Sequence, residues 1–115
     1  MENSKVVCRV KSGSDVRYEE RGNAFLVHVC GEIDHHGAVS VRAGIDDVLA
    51  AGRPENVYLE LSGVSFMDSS GLGLIMGRYT LLGRLGGRLI IEHPSAAARR
   101  MITLAAMERV IEIVE

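Results

Sequence analysis

Residues 57–87 read VYLELSGVSFMDSSGLGLIMGRYTLLGRLGG, and a change of period inside this stretch decides the fold. Val57, Leu59 and Leu61 alternate with Tyr58 and Glu60, the two-residue repeat of a strand with unlike faces. Gly63-Val64-Ser65 is expected to loop out of that strand. From Ser70 to about Leu85 the apolar residues recur three and four apart, with Leu72, Ile75, Met76, Tyr79 and Leu82 expected as the buried stripe of a helix. Leu74 and Leu81 are expected on a face outside that stripe, flanked by Arg78 and Arg84. Gly86-Gly87 stops the helix and RLIIE, Arg88 to Glu92, opens the next strand. Strand, helix and strand in direct succession make a parallel crossover unit.

The same reading extends in both directions. Upstream, Ala38, Val41, Ile45, Val48 and Leu49 give one apolar face to a helix over His36 to Ala51, with Arg42, Asp46 and Asp47 opposite and Gly52 and Pro54 as its stop. Val16–Glu20 and Phe25–Cys30 read as strands joined by a hairpin turn at Arg21-Gly22-Asn23. Downstream, Ser95 is the expected N-cap of a helix from Ala96 to Met107, with Ala98, Met101, Ile102 and Ala105 facing inward. VIEIV, Val110 to Val114, closes the chain as a strand. The predicted fold is α/β: a mixed, mostly parallel sheet with an N-terminal antiparallel hairpin and helices packed on it. Residues 15–115 form one expected domain, and residues 1–14 an N-terminal extension, either a short strand over Lys5–Lys11 or disordered.

Composition bounds the function. One domain fits 115 residues, and 47% hydrophobic against 24% charged residues is the balance of a globular protein. With no Trp, two Phe and three Tyr, the core must be aliphatic. Thirteen basic against fifteen acidic residues, a net charge of −2, argue against a domain built to neutralise nucleic-acid phosphates. Two cysteines, Cys8 and Cys30, make neither a disulfide scaffold nor a zinc site. No run reaches the ~20 apolar residues of a membrane span, and no secretory signal opens the chain. A cytoplasmic protein without direct membrane contact is expected.

Two segments carry chemistry. Asp68-Ser69-Ser70-Gly71-Leu72-Gly73 follows a strand and opens a helix, where free N–H groups and the helix dipole favour negative charge. It admits two readings: an ordinary N-cap turn, or a phosphoacceptor at Ser69 whose added charge a helix end tolerates. No GxSxG elbow, GxGxxG fingerprint or P-loop is present, so hydrolase and nucleotide-fold chemistry lack support. Gly73 and Gly77 are expected to serve close helix–sheet packing. The second segment is Gly31-Glu32-Ile33-Asp34-His35-His36. Asp34 reads either as the N-cap of the first helix or as a partner or nucleotide contact. Adjacent His35 and His36 are expected to point apart, with no third metal ligand at motif spacing, and His28 and His93 are expected as strand-face residues.

GEIDHH at 31–36 and FMDSSGLGLIMGRY at 66–79, in this order and βαβ context, resemble the STAS domain of anti-sigma factor antagonists, especially the sporulation type. The resemblance covers about residues 15–115. It implies a non-enzymatic regulator without a cofactor, the substrate and partner of an anti-sigma factor that is also a serine kinase. The unphosphorylated form would bind that kinase and free a sigma factor; phosphorylation would break the complex, and a PP2C-type phosphatase would restore it. The phosphoacceptor carried over is Ser69, framed by Asp68, Ser70 and Gly71, with Asp34 in a partner or nucleotide contact. Leu74 and Arg78 are further candidate contacts. Two alternatives stay open within the resemblance: a stress-response antagonist with another kinase, and a nucleotide-binding STAS domain. The cytoplasmic tail of an anion transporter shares the fold but implies a membrane span. The chain departs from the pattern at Ala105-Ala106, in its start, and in ending at VIEIV where relatives continue into a helix. A homodimer through surface left uncovered there is one further expectation.

Overall fold

The computed structural model describes residues 6–11, 14–52 and 55–115. Six strands form one sheet in sequence order: β1 (Val6–Lys11), β2 (Ser14–Arg21), β3 (Ala24–Ile33), β4 (Asn56–Met67), β5 (Arg88–Glu92) and β6 (Glu112–Val114). β1, β2 and β3 pair antiparallel, and β3 to β6 pair parallel. The parallel strands are joined by α1 (His35–Gly52), α2 (Ser69–Arg84) and α3 (Ala96–Leu104), the last followed by a 3-10 turn at Met107–Arg109. Successive parallel strands that lie side by side, each joined by a right-handed crossover, put every helix on one face. The core agrees: Val27, Leu59 and Ile91 of the sheet cluster with Val41 and Ile45 of α1, Ile75 and Leu82 of α2, and Ile102 of α3.

The mixed sheet and its hairpin are as expected, with Gly22 at φ +63° in the β2–β3 turn. Within residues 1–14, Val6–Lys11 is an edge strand of the same sheet, while residues 1–5, 12 and 13 lie outside the described residues, as does Pro54. β2 starts at Ser14 and β3 runs to Ile33, both longer than the alternation indicates.

Several expectations need correction, the first being the closing strand, which spans only Glu112–Val114 because Val110 ends the 3-10 turn and Ile111 is a bend. Gly63-Val64-Ser65 does not leave the sheet: β4 continues to Met67 through two register shifts against β3. Each bulge adds one residue, so the buried positions after Leu61 are Val64 and Met67, three apart rather than two. Leu74 is not outside the stripe; it is only 6% exposed, while Leu72, Met76 and Tyr79 are half-buried at the margin. α3 ends three residues early, so Ala105 is exposed and Met107 takes the inward place. His93 is not a strand residue but an exposed bend at φ +48°, whose N–H donates to the Val114 carbonyl.

On the opposite sheet face His28 is a strand residue as expected. It stands between two carboxylates, its Nδ1 3.1 Å from Glu60 Oε1 and its Nε2 3.5 Å from Glu19 Oε1. Burial works against ionising Glu60, but hydrogen bonds from Ser62 and His28 outweigh it and hold this carboxyl below the usual range.

Candidate functional site

The two chemical segments meet because their strands are neighbours. β3 and β4 are parallel with Ile33 opposite Met67, so Asp34 and Asp68 leave adjacent strand ends at the same level. The Asp68 N–H donates to the Ile33 carbonyl at 3.3 Å, tying the two exits together. Each aspartate then caps the helix that follows it. Asp34 Oδ1 accepts from the Gly37 N–H at 2.8 Å, and Asp68 Oδ1 from the Ser70 N–H at 2.8 Å. The result is two helix N-termini side by side, each with one donor satisfied by a carboxylate.

The Gly37 hydrogen bond, aided by charge and amide contributions from His36 and opposed by partial burial, holds the Asp34 carboxyl below its usual range. Asp34 therefore meets neutral solution as an anion. Both aspartates are N-caps in the structure, the first of the two readings each allowed, and capping leaves their second oxygen for other contacts.

Ser69 is the first residue of α2 and is exposed; Ser70 is half-buried. Gly71 is buried beneath them, and a Cβ there would lie 2.5 Å from Met67 Cγ and 3.3 Å from Ile33 Cγ2. Gly37 is tighter still, its Cβ position 2.2 Å from the Glu32 carbonyl oxygen. Glycine at these two positions lets both tips sit close against the strands. Phe66, 48% exposed, stands beside them on β4. His35 and His36 do not splay fully apart: their rings meet edge to face with centroids 5.8 Å apart. Among the described residues no three His, Cys, Asp or Glu side chains are placed to hold a metal.

Behind the tips, α1 and α2 leave a groove of about 350 Å³, bordered by His35, Val39 and Arg42 of α1 and by Ser70, Leu74 and Arg78 of α2. The expected role of Gly73 and Gly77 is overturned here: a Cβ on either would meet nothing within 4 Å. They open onto the groove instead of packing on the sheet. Arg78 Nε lies 3.3 Å from Asp46 Oδ1 across the helices, attracted but too poorly aligned for a hydrogen bond, and its Nη1 is buried without an acceptor. Asp46, expected on the solvent side of α1, is thus turned toward α2. Val39, Arg42 and Phe66 were not singled out in the sequence as site residues. The usable signal was the pair Gly73 and Gly77, four apart inside a helix, where glycine is costly unless something needs the space.

Three helices on one face of a mixed sheet, and two aspartate-capped helix tips set together at the strand ends, define a small α/β domain with an exposed serine, Ser69, at a helix N-terminus. The chain belongs to the STAS domain family, whose model matches residues 15–115. It is 31% identical over 98 residues to the anti-sigma F factor antagonist of Paenibacillus polymyxa, covering 85% of this chain and 84% of that protein. It is also 31% identical over 99 residues to the anti-sigma-B factor antagonist of Bacillus subtilis, covering 86% and 87%. Among solved structures, the anti-sigma factor antagonist SpoIIAA in its unphosphorylated form superposes with a TM-score of 0.72 at 28% identity, over 87% of this chain and 88% of that one.

Proposed function

We propose that this protein is an anti-sigma factor antagonist switched by phosphorylation of Ser69. The observation that carries the reading is the position of Ser69: exposed, first in α2, beside the Asp34 tip, in a chain whose relatives are named as such antagonists. In the unphosphorylated form the two tips present a small hydroxyl, and Asp34, Asp68, Ser70 and Gly71 shape the surface that meets the anti-sigma factor. That factor, acting as a serine kinase, transfers the γ-phosphoryl of ATP to Ser69 Oγ. The new P–O bond forms as the bond to ADP breaks, and the hydroxyl proton passes to a base of the kinase. A PP2C-type phosphatase reverses the modification by hydrolysis.

Phosphorylation takes the net charge from −2 to about −4. The added charge sits at a helix N-terminus, where the dipole favours it, and on an exposed residue. The fold therefore has no reason to change, and the switch acts by repulsion and steric exclusion at the interface, with Asp34 and Asp68 adding to the negative field. A glutamate at 69 mimics the charge. Titrated against the purified anti-sigma factor of the same genome, the wild-type chain is expected to bind and Ser69→Glu to lose at least tenfold in affinity. Equal binding would defeat the switch. Pairing with a sigma-F-type or a sigma-B-type anti-sigma factor in the same titration separates the sporulation from the stress-response circuit.

A further inference from the structure

The groove between α1 and α2 is open where a soluble helix pair would ordinarily close. Two glycines stand in the interior of α2, each costing up to ~1 kcal/mol against alanine, and an added methyl would touch nothing at either. Packing within this molecule thus does not account for them. The floor is apolar, with Leu74 and Ala38, and Val39 forms a lip that is 52% exposed. Its polar margin carries two guanidinium groups, Arg42 and Arg78, with His35 beside them. Asp46 faces Arg78 Nε at 3.3 Å without hydrogen-bonding it, and no carboxylate among the described residues faces Arg42 in the groove lining. Arg78 is 13% exposed and its Nη1 is buried without an acceptor, a condition that a native site relieves with water or a ligand.

We infer that this groove seats an anchor of the partner protein made of one aliphatic side chain next to a carboxylate. The aliphatic group enters over Gly73 and Gly77 onto Leu74, and the carboxylate takes a charge-assisted hydrogen bond from Arg42 or Arg78. Glycine allows the partner's backbone to approach α2 more closely than any side chain would. The groove shares Ser70 with the phosphorylation tip, so anchor and switch belong to one surface. This rests on the proposed function, because the partner in question is the anti-sigma factor.

The test is calorimetric titration of the full chain with the purified anti-sigma factor of the same genome, using Gly77→Leu, Arg42→Glu and Gly83→Ala. Gly83 also has open space around it but faces a different groove, beside Thr80 and Val110, and serves as the control. Thermal melting establishes that each variant is folded. The inference expects Gly77→Leu and Arg42→Glu each to lose at least tenfold in affinity while Gly83→Ala binds as the wild type does. Wild-type binding with Gly77→Leu and Arg42→Glu within twofold of it overturns the groove and leaves the Ser69 reading standing. No binding by the wild-type chain overturns the Ser69 reading and the groove with it.

Discussion

The inner and outer sides of the two helix tips use glycine in opposite ways. On the inner side, Gly37 and Gly71 are pressed against a carbonyl oxygen and a methionine, and no side chain fits. On the outer side, Gly73 and Gly77 border open space. The inner pair is explained by this molecule's own packing. The outer pair meets nothing within it, and the proposed partner anchor is what would use the space. Composition alone would treat all four as turn and packing residues; position separates structural necessity from function.

The largest expected effect falls on the inner side. Gly37→Ala and Gly71→Ala should each destabilise the fold by about 3 kcal/mol, the upper part of the overpacking range, as read from urea unfolding midpoints. If either were neutral, the close contact of the tips with the strands would be wrong. Next comes the cap. Asp68→Ala removes the acceptor of the Ser70 N–H and should cost about 1 kcal/mol. It should also reduce the rate of Ser69 phosphorylation by fraying the turn that presents the hydroxyl.

The outer side sharpens the comparison by its sign. Gly73→Ala and Gly77→Ala should each stabilise by up to ~1 kcal/mol, raising the melting temperature while weakening the partner. A destabilised alanine variant would mean that the open space is filled in solution. The smallest effect lies on the far sheet face. The Glu60 carboxyl is held below its usual range, so its contribution to stability is present above ~pH 4.3 and is lost as the pH falls through the folded-state value. Glu60→Gln should flatten the acid limb of the stability curve there and leave stability near neutrality less pH-dependent than it changes in acid. An unchanged acid limb would remove Glu60 from the account of it.

Much of this was legible in the sequence because burial follows period. The α1 stripe from Ala38 to Leu49 and the Ser95 cap of α3 are as read. β4 defeated the reading because each bulge resets the alternation, so Val64 and Met67 look irregular until the partner strand is known. Leu74 was misplaced because α2 is buried on two sides, by the sheet and along α1, which widens its apolar face beyond one stripe. Asp34 and Ser69 were both found as separate motifs. What the chain could not show is that they are neighbours, since that depends on the register of Ile33 against Met67. The Asp46–Arg78 contact depends likewise on how two helices cross.

The central claim is that Ser69 is the phosphoacceptor, and intact-mass spectrometry tests it most directly. The wild-type chain and Ser69→Ala are incubated with the anti-sigma factor kinase of the same genome and Mg-ATP, with the kinase shown to be active. One phosphoryl group gained by the wild type and none by Ser69→Ala is the expected result. The same gain in both, or no gain in the wild type, would contradict it.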